Sequence, residues 1–255
     1  MTRQAPAPLV IGHRGARRLA VENTLESLRI ALDLGADGVE FDVQQTADGE
    51  LVLFHDDDLQ RLANRPGAVT ELPWSDLRKM TLGDGQLQTQ RVAHLDEVLE
   101  LFEGRKVHVN AELKVNGHDS SGGLHLADAF VRRMERVRGG DWLISSFNEA
   151  PLAQVARAQI ARPLAALVDE KPPGDFWSLT ERIAERAWPI ASVNPHVSLV
   201  NPERLALWRA QAWQVWSWTV NTPREWEYLC DEAVTAIITD APGDLLHFLL
   251  RHGKR

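Results

Sequence analysis

Val39-Glu40-Phe41-Asp42-Val43 alternates apolar and acidic residues with the two-residue period of a β-strand. One face then carries Val39, Phe41 and Val43, and the other carries Glu40 and Asp42. Two anions on a strand of otherwise apolar sequence require a cation. A second stretch, Val107-His108-Val109-Asn110-Ala111-Glu112-Leu113-Lys114, divides in the same way: Val107, Val109, Ala111 and Leu113 on one side, His108, Asn110, Glu112 and Lys114 on the other. Three carboxylates are thus expected to share one interior. Oxygen-only donors of this kind suit one divalent ion, Mg²⁺ or Ca²⁺, better than zinc.

Working outward, short apolar runs recur at 9–12, 38–43, 107–113, 142–145, 164–168, 190–193, 214–220 and 236–239. Helical spacing of apolar residues lies between them, as in Leu25, Leu28, Ile30, Ala31 and Leu34, then at 95–102 and 124–137. Asn148, Asn201-Pro202 and Thr222-Pro223 read as helix starts, with side-chain oxygens to cap free amides and proline suited to the first turn. Eight strand–helix repeats predict an α/β chain folded as a (β/α)₈ TIM barrel. The length of 255 residues matches the size usual for one such barrel, about 250 residues, so residues 1–255 are expected to form a single domain. A doubly wound open sheet is the alternative, disfavoured because no glycine fingerprint opens the first helix.

One segment interrupts the alternation. Leu51-Val52-Leu53-Phe54-His55 follows the second strand too closely for a parallel crossover, so it must return as a hairpin. A two-residue Asp48-Gly49 turn would set Asp42 opposite His55. Residues from 56 to about 92, with Pro66, Gly67, Pro73, Gly83 and Gly85, then form an insertion expected over the same mouth.

The hydrophobic content of 44% with 25% charged residues excludes disordered and fibrous classes, and a net charge of −8 with dispersed basic residues argues against nucleic acid. Cys230 is the sole cysteine, so no intrachain disulfide is possible. With no apolar run long enough to span a bilayer and no apolar stretch in Met1 to Pro8, a cytoplasmic location is expected. Nine tryptophans are many, but Trp142, Trp177, Trp188, Trp208, Trp213 and Trp226 fall on predicted elements, where packing explains them.

Barrel enzymes gather their chemistry at the C-terminal ends of the strands. His13 and Arg14 stand there on the first strand, and Gly15 permits close backbone approach. His13 and His55 would flank the three carboxylates as an acid and a base. Arg14 and Lys114 would grip an anion or serve as counter-ions to the acids. A metal, paired imidazoles and paired cations point to a phosphate ester. His94, His108, His118, His125, His196, His247 and His252 are read as surface or hydrogen-bonded residues, and Gly117 to Gly123 as a mouth loop.

In order along the chain, His13-Arg14-Gly15, Glu22-Asn23-Thr24, Gly35 to Val43, Thr46 to Gly49, Phe54-His55-Asp56, Asn110 to Lys114, Ser146-Phe147, Trp218 to Asn221 and Ile238 to Pro242 resemble the glycerophosphodiester phosphodiesterase family, in its short cytoplasmic bacterial form. The resemblance implies hydrolysis of glycerophosphodiesters to an alcohol and sn-glycerol 3-phosphate. It implies a metal at Glu40, Asp42 and Glu112, with His13 as base and His55 as acid, and apolar or aromatic pocket positions at Phe147 and Trp218. Val21 and Ala93-His94 depart from the proline and Pro-Thr usual at these places. Two rivals remain, a phospholipase-like lyase forming a cyclic phosphate and a phosphate-ligand binding protein without turnover. The first is disfavoured by the missing secretion signal and disulfides, the second by the intact site.

Overall fold

The computed structural model describes residues 6–83, 85–169 and 190–255. Eight parallel strands form a closed barrel: β1 (Leu9–His13), β2 (Gly38–Gln45), β6 (His108–Leu113), β7 (Asp141–Ser146), β8 (Leu164–Val168), β9 (Ile190–Pro195), β10 (Gln214–Ser217) and β11 (Ala236–Thr239). Closure comes from β1, which pairs with both β2 and β11. The helices α1 (Leu25–Asp33), α4 (Leu95–Phe102), α5 (Leu124–Met134), α6 (Glu149–Arg157), α7 (Pro202–Ala210), α8 (Pro223–Asp231) and α9 (Pro242–Arg251) follow their strands in turn. All eight strands expected from the sequence are present. The run at 214–220 is shorter than expected, ending as regular strand at Ser217. Trp177 and Trp188 lie outside the described residues.

The alternation in β2 and β6 sorts residues as the period demands. Val39, Phe41, Val43, Val109, Ala111 and Leu113 pack outward against Leu28, Ala31, Val98 and Phe130 of the helices. Phe41 is fully buried between Phe102 and Trp142, ring centroids 6.2 and 6.4 Å away, a burial worth about 1.5–3 kcal/mol. Inside the barrel, Ile11, Leu143, Ala165, Trp216 and Ile238 fill the floor. Polar residues occupy the level above.

The hairpin strand β3 (Leu51–Leu53) pairs antiparallel with β2, but in a register one residue from that expected. Val43 faces Leu53, and the Phe54 amide donates to the Asp42 carbonyl at 3.1 Å, so Asp42 opposes Phe54 rather than His55. Turn chemistry explains the shift. The Gly49 amide donates to the Thr46 carbonyl at 3.0 Å, and of Ala47, Asp48 and Gly49 only Gly49 has positive φ, at 88°. This is a three-residue loop with a glycine bulge, whereas the expected two-residue turn needs positive φ at both centres.

Residues 56–92 carry α2 (Gln60–Ala63), α3 (Trp74–Leu77) and the small hairpin β4 (Thr81–Leu82) and β5 (Gln90–Arg91). Leu59, Leu62, Val69, Leu77 and Leu82 bury together against Val21, Val52 and Phe54. The insertion therefore packs beside the barrel on the back of the hairpin.

Caps match the sequence at α7 and α8, where Asn201 and Thr222 accept from the amides of Arg204 and Glu225. Asn148 precedes α6 without a side-chain cap bond. His94 caps α4 through Nδ1, taking the Asp96 amide at 3.2 Å while Glu97 returns to the His94 amide. Imidazole thereby does at this position what a threonine hydroxyl does elsewhere.

Candidate active site

Glu40 and Asp42 leave the inner face of β2, and Glu112 that of β6, in which Asp42 and Glu112 are register partners. All three are buried, and each offers an oxygen within 4.8 Å of the others. One ion with metal–oxygen bonds of about 2.3–2.6 Å spans such a set. The electrostatics fit a group of acids suited to a cation. Burial, then repulsion from Asp42 and Glu112, pushes the Glu40 carboxyl well above the usual carboxylate range. Burial and Asp42 push Glu112 up to about 7, although Lys114 Nζ lies 3.3 Å from its Oε1. Asp42 goes the other way: burial opposes its charge, but Arg14, His55, Lys114 and the Asn23 amide outweigh burial and lower it.

The turn after β1 is folded around these acids. Arg14 takes φ 53° and Asn23 φ 56°, left-handed values rare for such residues, and strain of this kind persists only where surrounding bonds fix it. The Arg14 amide donates to Glu40 at 2.9 Å, its Nε lies 3.1 Å from Asp42, and its guanidinium donates to Glu22 at 2.7 Å. Asn23 donates to the Asp42 carboxylate at 2.8 Å and accepts from the Asp42 amide at 3.1 Å. A Cβ on Gly15 would fall 2.4 Å from the backbone of Ser27, so only glycine lets this turn close on α1.

His13 Nδ1 lies 2.7 Å from Asp240, and Nε2 lies 4.0 Å from Glu40. Burial works against the Asp240 charge, but the bond and charge of His13 with the Asn221 amide outweigh it and hold Asp240 at about 2. An ionised carboxylate can only accept, so Nδ1 carries the proton and Nε2 presents a lone pair. Burial lowers the His13 pKa, against the opposing pull of Asp240.

His55 arrives from the hairpin. Beyond β3 the chain is held by the Gln44 amide, which donates to the carbonyls of Phe54 and Asp56 at 3.1 and 2.9 Å. Asn116 in turn donates to Gln44 and to the Asp57 carbonyl. His55 Nδ1 lies 2.8 Å from Asp56, whose carboxylate Arg61 also binds at 2.6 Å. Its Nε2 lies 3.1 Å from Lys114 Nζ, which is 3.3 Å from Glu112 and 5.6 Å from the Phe147 ring centroid.

His13, Arg14, Glu40, His55, Asn110, Glu112, Lys114, Phe147 and Trp218 line one cavity of about 340 Å³ at the C-terminal mouth, with Leu167, Asp169 and Ile238. Asp42 lies buried behind this lining. Phe147 and Trp218 meet edge to face, centroids 5.5 Å apart, and the Trp218 indole donates to the Asn194 carbonyl, which turns the ring into the cavity. Among the described residues of 54–92 only His55 lines it, so the insertion braces the mouth from the side. Larger grooves of about 530 and 710 Å³ lie elsewhere on the surface, and the first shares only Lys114 with the site.

The glycerophosphoryl diester phosphodiesterase family model matches residues 13–244. The chain belongs to that family. A glycerophosphodiester phosphodiesterase of Caldanaerobacter subterraneus subsp. tengcongensis is 28% identical, over 96% of this chain and 99% of its own. One of Bacillus subtilis is 28% identical over 94% of this chain and 85% of its own. An Oleispira antarctica phosphodiesterase, solved with the product sn-glycerol-3-phosphate, superposes with a TM-score of 0.84 at 26% identity, over 95% of this chain and 97% of that one. As a phosphodiesterase of this family the chain is an enzyme, a phosphoric diester hydrolase.

Sequence reasoning placed all nine named residues at one site, although Asp42 stands behind the cavity and Arg14 is engaged by acids. It gave no role to Glu22, Asn23, Asp56, Arg61, Asn221 or Asp240. Five of these, all but Arg61, sit inside the stretches that carry the family likeness, which was the available signal. Arg61 and its pairing with Glu22 at 2.7 Å left no local trace.

Proposed function

We propose that the enzyme hydrolyses glycerophosphodiesters to an alcohol and sn-glycerol 3-phosphate, using one divalent ion, Mg²⁺ or Ca²⁺, at Glu40, Asp42 and Glu112. His13 and His55 are the acid–base pair. The reading rests on one observation: two imidazoles, each bonded at Nδ1 to a carboxylate, line the same cavity as a buried acidic cluster. When bound, the ion polarises a non-bridging phosphate oxygen.

His13, neutral through burial, takes the proton of the attacking oxygen at Nε2, whether that oxygen belongs to water or to a neighbouring substrate hydroxyl. His55 hands a proton to the leaving alcohol. For that its Nε2 must be protonated, and Lys114 then turns to Glu112 and the phosphate. Lys114 offsets charge growing on phosphorus, and Arg14 does so while holding Asp42 and Glu22. Phe147 and Trp218 form the apolar wall that excludes water from the reacting face. The 56–92 insertion belongs to the same catalytic domain, serving it through Asp56 and Arg61, which brace His55 and Glu22.

The test is a coupled assay for sn-glycerol 3-phosphate released from choline, ethanolamine and glycerol diesters. EDTA should abolish turnover, and Mg²⁺ or Ca²⁺ should restore it. Turnover that resists EDTA would remove the metal from the scheme, and a persistent cyclic phosphate without glycerol phosphate would favour the lyase.

A further inference from the structure

Asn110 is 1% exposed, it lines the cavity, and neither its Oδ1 nor its Nδ2 has a hydrogen-bond partner. The surrounding carboxamides differ. Asn23 uses both ends on Asp42, Gln44 both on Asn116 and the hairpin carbonyls, and Asn221 both on Asp240 and its neighbours. Asn194 also has an unpartnered Nδ2, but it does not line the cavity. A buried carboxamide without partners is costly, and a chain that keeps one facing a cavity keeps it for what enters.

Both ends of the amide constrain that occupant. A metal ion satisfies Oδ1 and leaves Nδ2 bare, while a phosphate oxygen satisfies Nδ2 and leaves Oδ1 bare. A hydroxyl donates and accepts at once. Depth supplies the second constraint. Asn110 is level with Glu40 in the sheet register and stands two residues before Glu112 and four before Lys114. At the usual strand rise its Cα lies about 7 Å along β6 below that of Glu112, and Lys114, higher on the strand, brings its Nζ down to 3.3 Å from Glu112. With the phosphate beside Lys114 and His55, the part of a glycerol unit farthest from phosphorus reaches the floor.

We propose that Asn110 binds the terminal hydroxyl of the glycerol unit and sets the preference for glycerol over diesters lacking that hydroxyl; this rests on the glycerophosphodiester reading above. The experiment compares kcat/KM for glycerophosphocholine with that for the analogue in which the terminal hydroxyl is replaced by hydrogen. The wild type should favour the hydroxylated diester by about thirtyfold, the discrimination expected of lost hydrogen bonds in a buried site. Asn110→Ala should lose about tenfold or more on glycerophosphocholine and stay within about twofold on the analogue. Its affinity for Mn²⁺, used as a probe of the carboxylate site by calorimetry, should be unchanged. Equal losses on both substrates, or retained discrimination, would overturn the proposal in favour of a structural amide bridged by water. Metal affinity weakened tenfold would overturn it in favour of a metal ligand. If Asn110→Ala does not fold, Asn110→Ser is read by the same criteria. A wild type that hydrolyses neither diester fails the functional reading as well, whereas one that hydrolyses both equally sinks only the role of Asn110.

Discussion

His13 and His55 are built alike and sited differently. Each imidazole is hydrogen-bonded at Nδ1 to a carboxylate that a further side chain holds, Asn221 behind Asp240 and Arg61 behind Asp56. His13 stands on a barrel strand and is buried, with Nε2 facing the acidic cluster. His55 stands where the hairpin leaves the sheet, its side chain 30% exposed and its Nε2 beside an ammonium. Burial disfavours the charged imidazole, so the barrel position suits a base that starts neutral. A group at the solvent edge can refill its proton from water between turnovers. One hydrogen-bonding unit, at two depths, yields the two halves of acid–base catalysis.

The comparison breaks most directly with His13→Ala and His55→Ala. Each should reduce kcat/KM for a choline diester by about 10²–10⁴-fold while divalent-ion binding survives. Replacing choline by p-nitrophenol, which departs without a proton, separates the roles. His55→Ala should recover most of its loss on that substrate, and His13→Ala should recover little. Recovery in the opposite variant would exchange the base and the acid, and full activity of either variant on the choline ester would dismiss the pair.

How the two positions were legible differs as well. The two-residue period of β2 and β6 put Glu40, Asp42 and Glu112 on an inner face directly, because residues i and i+2 of one strand must share a side. His55 was expected at the site on a register that proved wrong, since the turn chemistry of Asp48-Gly49 admits more than one loop length. Hydrogen bonds from Gln44 and Asn116 deliver it instead, and no periodicity reports those. Asp240 was harder still: its contact with His13 joins residues 227 apart across barrel closure. Asp240→Asn and Asp56→Asn compare the two supports. Loss of Asp240 should cost about 10²-fold, because an amide no longer fixes the imidazole tautomer. It should also move the acid limb of the pH–rate profile down, since Asp240 raises the His13 pKa that burial lowers. Asp56→Asn should cost less, as its imidazole is in contact with solvent. Equal losses would show that burial does not separate the two units.

Between the imidazoles, Glu112 provides the smallest and most graded test. Its carboxyl is pushed up to about 7 in the folded protein, from an ordinary value of 4.5, by burial first and the Asp42 charge second. The folded metal-free protein therefore binds a proton that the unfolded chain releases between those values. By linkage the contribution of this group to stability falls as pH rises from about 4.5 to 7 and levels off above. A cation at the site must displace that proton and the one that burial favours on Glu40, so affinity for Mg²⁺ or Ca²⁺ should rise by about tenfold or more per pH unit below 7. Calorimetric titrations from pH 5.5 to 8 would measure the slope, and Glu112→Gln should make it shallower and remove most of the affinity. A flat profile would mean that Glu112 is already ionised without a metal. The acidic cluster would then be balanced by Arg14 and Lys114 alone, and those two cations would be counter-ions for the acids before they were grips for phosphate.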